Sequence, residues 1–423
     1  MVPSGWSFKK LEEANITITD GDRGKEYPKS TEFSDSGYCL FLSAKNVSKN
    51  GFSFSETQFI SETKHKKLRK GIVNKGDIVL TTRGTVGQFA YYNAAFDYAA
   101  MRINSGMVTL NCSEAELSSD FFYALSKSSI IKKQIDSAAF GSAQPQLTVK
   151  IIKSLKLPIP PLPEQRKIAS ILGTWDKAIS TTERLIDNSK QQKKALMQQL
   201  LTGAHTQRKR LLDESGKSFE DEWEEVAVGD LGTIYSGGTP STSNKEYWDG
   251  DIDWITPTDI TKQNSVYIRS SVRRISAEGL KNSSAKLVPK GSLLVCTRAT
   301  IGEMAITAHE MCTNQGFKNI IPNQKTNIEF LFYLLTYEKH KLVSKASGSN
   351  FLELSKSAFE SMKFNVPLIG EQEKIAAVLT NADNEIVVLE KQLADLKQEK
   401  KALMQQLLTG KRRVKIKAQE CIA

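Results

Sequence analysis

Apolar positions in this chain follow two rhythms, and the rhythms alternate. Over residues 1–157 they come in short runs, such as Tyr38-Cys39-Leu40-Phe41-Leu42 and Asp77-Ile78-Val79-Leu80, separated by Gly-rich turns. Runs of that length and punctuation predict strands. A helical stretch, Asp120 to Ile135, comes late in the region. The prolines of LPIPPLPEQ, 157–165, cannot continue a helix or a central strand, so they mark a rigid boundary. Residues 164–202 then hold no Pro and, apart from Gly173, no Gly. The succession returns. Residues 220–363 are strand-rich with a late helix at 328–345, Val366-Pro367 is the boundary, and 371–409 run without Pro or Gly to Gly410, a helix C′ position.

In that last segment Ile375, Leu379, Ala382, Ile386, Leu389, Leu393, Leu396, Lys400, Leu403 and Leu407 step by 4 and 3 in alternation, an a/d heptad seam. Ile168, Leu172, Trp175, Ile179, Thr182, Ile186, Ser189, Lys193, Leu196 and Leu200 hold the same frame in the earlier segment, weakened near its middle by Thr182, Ser189 and Lys193. A long amphipathic helix needs a partner to bury such a stripe. The cheapest partner for each is the other, which predicts an antiparallel coiled coil. The alternative is that each helix packs on its own globular domain. Thirty-nine helical residues reach roughly 58 Å at ~1.5 Å each, longer than one turn of DNA, ~34 Å.

The seam also exposes a duplication. Residues 193–203 and 400–410 both read KKALMQQLLTG, an offset of 400 − 193 = 207 residues. The same offset maps Glu164-Gln165 onto Glu371-Gln372 and Asp176 onto Asp383. Solenoid repeats have periods of about 20–50 residues, so this is a tandem copy of a whole domain plus a helix. The globular parts repeat more weakly. The run from Lys75-Gly76-Asp77 to Arg83-Gly84-Thr85-Val86-Gly87 resembles that from Lys290-Gly291-Ser292 to Arg298-Ala299-Thr300-Ile301-Gly302. Asn104-Ser105-Gly106 likewise resembles Asn314-Gln315-Gly316. The helices share one job, and the domains do two different ones. The expected architecture is α+β and pseudo-two-fold. It comprises a first globular domain (1–157), a helix (158–203), a linker (204–219), a second globular domain (220–364), a second helix (365–410) and a basic tail (411–423).

Charge narrows the partner. Lys plus Arg is 58 against 47 Asp plus Glu, a net charge of +11, which fits a polyanion such as nucleic acid, although a basic soluble protein would have it too. The five cysteines are widely spaced with no CxxC, which argues against a disulfide framework or zinc site. No apolar run follows the N-terminal charges and none approaches 18 residues, so neither a signal peptide nor a membrane span is expected, and the cytoplasm is the natural home. No phosphate loop, HExxH, GxSxG or GxGxxG is present, and the four histidines, at 65, 205, 309 and 340, do not cluster with carboxylates in sequence. The sequence reads as a recognition or scaffold subunit.

The pattern PLPEQRKIASIL…KKALMQQLLTG, seen twice with KGD- and RGTVG-type motifs between, resembles the specificity (S) subunit of Type I restriction–modification systems over essentially the whole chain. Residues 236–260 are similar to the opening of one common class of target-recognition domain. The resemblance implies two target-recognition domains that each read half of a split double-stranded DNA sequence, spaced by a coiled coil. It implies two methyltransferase (M) subunits and restriction (R) subunits as partners. S-adenosylmethionine and ATP would sit on those partners, with no cofactor or catalysis in this chain, and the setting would be a prokaryotic cytoplasm beside the nucleoid. The second boundary departs slightly, reading VPLIGEQ where the first reads PPLPEQ.

Base reading favours Arg or Lys on guanine and Asn or Gln on adenine, while phosphate contacts supply affinity. In the first half the candidates are Arg23, Lys25 and Tyr27 in a Gly-flanked loop, Lys45 and Asn46 after a strand, Arg83 and Thr85, and Gln144 and Gln146 in a polar turn. In the second they are Thr239 and Ser241, Thr258 and Asp259, Arg298 and Thr300, and Ser349 and Asn350. Arg83 and Arg298 recur, so they are poorly placed to discriminate two half-sites and fit phosphate contact first, then a structural ion pair, and base contact last. Gly76, Gly87, Gly291 and Gly302 fit tight turns. The basic clusters at 208–210 and 411–417 read as solvated tails or docking sites. Exposed glutamines at 191, 192, 198 and 199 are candidates for binding M subunits. A self-contained modification enzyme and a scaffold without a nucleic-acid role are the competing readings.

Overall fold

A computed structural model describes residues 3–139, 146–202, 210–263, 265–347 and 352–416 of the 423. The chain divides into two compact units. Unit 1 holds residues 1–183 with 392–423, and unit 2 holds 184–391. The first long helix, Leu162–Leu201, and the second, Ile369–Leu407, therefore each contribute their beginning to one unit and their end to the other.

Unit 1 is built on an antiparallel sheet of four strands in the order Thr17–Asp20, Met107–Asn111, Ile78–Thr81 and Phe89–Tyr91. A second sheet sets Cys39–Leu42 between Phe59–Ile60, antiparallel, and Ala100–Ile103, parallel. Cys39–Leu42 and Ile78–Thr81 are buried at every position, which is why they read as unbroken apolar runs rather than alternations. The strand Ser7–Lys10 pairs with Lys156–Ile159. Pro158 thus lies inside a strand, not at a break. The strand has a single neighbour, the edge setting in which a proline is tolerated. Pro163 occupies the first turn of the long helix, where a backbone N–H would have no intrahelical acceptor, so its lack of that donor costs no helix bond.

Unit 2 repeats the plan with one more strand. Gly232–Ser236, Phe317–Pro322, Leu293–Cys296 and Met304–Thr307 are antiparallel neighbours, and Tyr267–Ile268 extends the sheet in parallel. Trp248–Ile255 lies between Arg273–Ile275, antiparallel, and Cys312–Thr313, parallel. Glu224–Ala227 pairs with Lys363–Val366. In both units the late helical stretch is two helices. In unit 1, Ser119–Ser126 stops where the Ser128 N–H donates to the Leu125 carbonyl, and Ser129–Ala139 follows. In unit 2, Ile328–Tyr337 gives way to Lys339–Lys345 at Glu338. Burial pushes the thiols of Cys39, Cys296 and Cys312 up to about 12 and that of Cys112 up to about 11, and all four are free and protonated.

Each long helix is tied to its own domain by the Glu-Gln pair at its start. In unit 1 the Gln165 amide donates to the carbonyls of Glu116 (2.7 Å) and Pro160 (2.9 Å) and accepts from the Ser118 N–H (2.9 Å). In unit 2 Gln372 donates to Lys325 (3.0 Å) and Pro367 (2.8 Å) and accepts from the Asn327 N–H (2.9 Å). Ile168, Ala169 and Leu172 then enter the unit 1 core, and Ile375, Ala376 and Leu379 enter that of unit 2. The helix ends cross over. Leu407 and Leu408 complete the core of unit 1, and Leu200 and Leu201 that of unit 2. Packing on the own domain and packing of helix on helix are therefore both realised, on different stretches of the same seam.

Along the seam every position from Ile168 to Leu200 and from Ile375 to Leu407 is buried or half-buried, Trp175, Ile179, Leu196, Leu389, Leu393, Leu396 and Leu403 among the half-buried. Within each unit the paired segments run antiparallel. In unit 1 Lys400 Nζ meets Asp176 (2.5 Å) and Lys397 meets Glu183 (2.7 Å). In unit 2 Lys193 meets Asp383 (2.5 Å) and Lys190 meets Glu390 (2.7 Å). The lysines that weaken the apolar stripe thus find carboxylates opposite, and a slipped register would leave them unpaired in a half-buried seam. Ser189 does the same, with its hydroxyl 3.3 Å from Glu385.

Candidate nucleic-acid interface

The antiparallel order of each main sheet brings three turns to one end. In unit 1 the chain leaves Thr17–Asp20 into 21–25, leaves Ile78–Thr81 into 82–87, and enters Met107–Asn111 from 104–106. The Gly21 N–H donates to Met107 O, Thr82 N–H to Gly106 O (2.8 Å), and Gly106 N–H to the Asn104 side chain (2.9 Å). A fourth segment joins when the Leu147 N–H donates to Thr82 O (3.0 Å). Unit 2 makes the same bonds: Gly237 N–H to Phe317 O, Thr297 N–H to Gly316 O (2.7 Å), Gly316 N–H to Asn314 (2.9 Å) and Leu354 N–H to Thr297 O (3.0 Å). A side chain on Gly21 would place its Cβ 2.0 Å from Asn104 O, and one on Gly237 would sit 1.9 Å from Asn314 O, so only glycine admits the first turn to this face. Gly87 and Gly302 have φ of +82° and +83°, the left-handed turn that ends the second segment.

On that common backbone the exposed side chains differ. Arg23 lies across the 104–106 turn, with Nη2 3.3 Å from Ser105 O and 3.0 Å from Asp20. At the corresponding place in unit 2 the Thr239 hydroxyl donates to the Gln315 side chain. Arg83 faces Gln146, whose oxygen, turned toward it, accepts from Nη2 (3.0 Å) and Nε (3.2 Å). Arg298 instead pairs with the Glu353 carboxylate at 2.7 Å. Lys25, Thr85, Ser241 and Thr258 are exposed. Thr300 is half-buried, with its Oγ1 enclosed. Lys45 is exposed and pairs with Glu56 at 2.8 Å.

Three candidates sit inside the scaffold. Tyr27 packs edge-on against Phe41 at 5.8 Å. Asn46, 3% exposed, donates to the carbonyls of Ser53 (3.1 Å) and Glu56 (2.7 Å) and accepts from the Ser43 N–H (2.9 Å). Asp259 accepts from the N–H groups of Thr256 (2.8 Å) and Val272 (3.0 Å). Gln144, Ser349 and Asn350 lie outside the described residues, as do the cluster residues at 208, 209 and 417. Two basic residues of those clusters each hold a carboxylate within their unit. Arg210 holds Glu371 in unit 2 and Arg413 holds Glu164 (2.7 Å) in unit 1.

Two residues that the sequence reading passed over shape these faces. Asp22, buried at the root of the first loop, accepts from the N–H groups of Gly24 (2.7 Å), Arg69 (2.7 Å) and Lys70 (3.4 Å). The Gly24 bond, with those of Arg69 and Lys70, outweighs burial and holds its carboxyl below the usual value of 3.8. A depressed folded pKa gives stability that is full above 3.8 and fades as pH falls through the folded value. The stability gap between wild type and Asp22→Asn should therefore narrow from neutral pH to about pH 3. Unfolding midpoints at the two pH values test this, and a constant gap would contradict it. Lys318 is almost buried in Phe317–Pro322. Burial lowers its pKa, and Glu353 opposes that. A lysine within an apolar strand was its only sequence signal.

A cavity of about 510 Å³ in unit 2 lies among Tyr267, Glu303, Phe332, Asp383 and Glu390. Its charged groups are paired, Glu303 with Lys339, Asp383 with Lys193 and Glu390 with Lys190. Among the described residues no group of three or more His, Cys, Asp or Glu stands in a metal-binding arrangement, and no helix is long and apolar enough to cross a membrane.

A sequence model of the Type I restriction modification DNA specificity domain matches residues 3–189 and again residues 220–398. The chain is similar to the Type I restriction enzyme MjaIX specificity subunit of Methanocaldococcus jannaschii, 40% identical over 176 residues, an alignment spanning 40% of each chain. It is 26% identical over 432 residues to the MjaVIII specificity subunit of the same organism, covering 98% of this chain and 94% of that one. The crystal structure of a Type-I restriction-modification system S subunit from M. genitalium shares the fold, with a TM-score of 0.60 at 16% identity over 96% of both chains. So does a structure described in terms of complex assembly and conformational transition of the type I R-M system, with a TM-score of 0.57 at 19% identity over 97% of this chain and 100% of that one.

Proposed function

Since this chain belongs to the Type I restriction modification DNA specificity family, we propose that its two units each read one half of a split double-stranded DNA target and carry partner enzymes to it. The observation that carries this reading is the repeated four-segment face. One backbone design is built twice from the same hydrogen bonds, yet it presents Arg23 with Arg83–Gln146 in one unit and Thr239 with Arg298–Glu353 in the other. A shared frame with unlike side chains suits two unlike half-sites. The net charge of +11 supports the phosphate contacts that give such binding its affinity.

The chain acts in this proposal without chemistry of its own. Adenine methylation from S-adenosylmethionine belongs to two methyltransferase subunits, and ATP-dependent cleavage to restriction subunits, in a prokaryotic cytoplasm. The exposed glutamines Gln191, Gln192, Gln198 and Gln199, with Gln405 and Gln406, offer the repeated surface to which two identical methyltransferase subunits would bind.

Mapping methylated adenines in cells that express this chain with a partner methyltransferase subunit tests the proposal. The expected result is a split motif with two unlike halves and a fixed gap. Exchange of residues 1–157 for those of a relative should change one half and leave the other. A motif that persists after deletion of this chain, or no motif, would sink it. The purified chain should also bind DNA in a strongly salt-dependent manner and should retain no labelled S-adenosylmethionine.

A further inference from the structure

Among the large hydrophobic side chains of the described residues Val272 is the most exposed, 82% accessible, at the tip of Arg269-Ser270-Ser271-Val272-Arg273-Arg274 in unit 2. The tip is fixed from below. Val272 N–H donates to Asp259 Oδ1 at 3.0 Å. The Ser271 N–H donates to Asp253 Oδ1 at 2.9 Å, and Ser271 Oγ lies 2.9 Å from the same oxygen and accepts from the Trp254 N–H at 3.1 Å. Asp253 is buried, and its second oxygen meets His309 Nε2 at 3.0 Å. The Arg273 guanidinium stacks 3.8 Å over the Trp248 ring, which packs edge-on against Trp254. Arg274 Nε stands 3.4 Å from Asp253. An exposed valine held this firmly, followed by Arg273 and Arg274 and with the exposed Arg269 three residues before it, is a presented group rather than a slack loop.

The tip borders the face already described. Asp259, which holds Val272, also caps the helix Pro257–Lys262 through Thr256. Pro257 and the Arg298 side chain are both among the nearest neighbours of Gly316, 3.8 and 3.7 Å from where its Cβ would stand. Unit 1 has the same support with different cargo. Asn46 takes the place of Asp259, bonding back to the Ser43 N–H and forward to the carbonyls of Ser53 and Glu56. The segment it holds carries Ser55, Glu56, Thr57 and Gln58, and Glu56 pairs with Lys45. The brace recurs, while the tip is basic and aliphatic in one unit and acidic and polar in the other.

We propose that residues 269–274, and 55–58 in unit 1, determine the bases read in each half-site, and that Val272 contacts the 5-methyl group of a thymine in the major groove, with the surrounding arginines on phosphates. This rests on the reading of the chain as a DNA-recognition subunit. Apolar contact is how a side chain recognises that methyl group, the one apolar feature on a major-groove base edge.

The test uses the full chain with its methyltransferase partner and compares wild type with Val272→Ser by methylation mapping and by binding to the mapped site. The substituted position is exposed, so the variant keeps its fold. The expected result is a motif relaxed at one A·T pair of one half, with the other half and the gap unchanged, and about ten-fold weaker binding to the wild-type site. A second variant, Asp259→Ala, frees the tip and should weaken binding to the same half-site while leaving the other half of the motif intact. A wild-type split motif that Val272→Ser leaves unaltered in sequence and affinity, or relaxes at a G·C pair, would overturn this inference while leaving the recognition reading standing. A wild type with no split motif would overturn both.

Discussion

Arg210→Ala is expected to destabilise unit 2 by about 3 kcal/mol, the low end of the range for removing one partner of a buried ion pair. The guanidinium makes two bonds to Glu371, one from Nε at 3.0 Å and one from Nη2, and a third to Asp221 O at 2.7 Å. Glu371 is 4% exposed. Without the arginine its remaining side-chain donor among the described residues would be the Trp223 indole N–H at 3.1 Å. The same trio occurs in unit 1, where Glu164 accepts from Trp6 Nε1 (3.0 Å) and from both Nε (2.7 Å) and Nη2 (2.8 Å) of Arg413. Arg413 is 44% exposed against 20% for Arg210, so water replaces part of what Arg413→Ala removes and the cost should be smaller. Urea unfolding of the two variants, followed by hydrogen exchange in each unit, would measure both. Equal losses, or a loss below about 1 kcal/mol for Arg210→Ala, would refute the argument from burial.

Gly237→Ala is expected to remove recognition by unit 2 while sparing unit 1. The added methyl group would stand 1.9 Å from the Asn314 carbonyl oxygen and 2.3 Å from Thr313 Oγ1. A backbone carbonyl cannot swing aside as a long side chain can. The turn must lift, breaking the bond from Gly237 N–H to Phe317 O and that from Gly238 N–H to Thr313 O. A cost of about 3 kcal/mol or more follows, at the upper end of overpacking. The methylation motif should lose one half, and Gly21→Ala should delete the other half by the same clash with Asn104 O at 2.0 Å. If both halves survive Gly237→Ala with unchanged stability, the face described here is not what reads DNA.

Much of the architecture was written in local pattern. Unbroken apolar runs marked Cys39–Leu42 and Ile78–Thr81 because both faces of those strands are covered. The 4-3 spacing marked two helices of 40 and 39 residues because a heptad is a property of neighbours along one helix. The 207-residue offset announced a duplicated plan because a tandem copy keeps one spacing throughout. The glycine turns were legible for the same reason, since a left-handed φ is a one-residue property.

Partnership was not legible, because it is made by residues far apart in the chain. Nothing near Glu164 foretells Arg413, 249 residues away, and the basic run that contains Arg413 looks like a solvated tail. Asn46 and Asp259 have the composition of base readers, yet their side chains are used by the loops they brace, while the tip at Val272 drew no notice. Sequence by itself determined the kinds of element, their order and their repetition, for periodicity reports which face of an element is buried. Only the tertiary structure decided which polar groups are left to face a ligand, because a buried donor or acceptor takes the partner that folding brings to it, and only the groups that remain are free to read anything else.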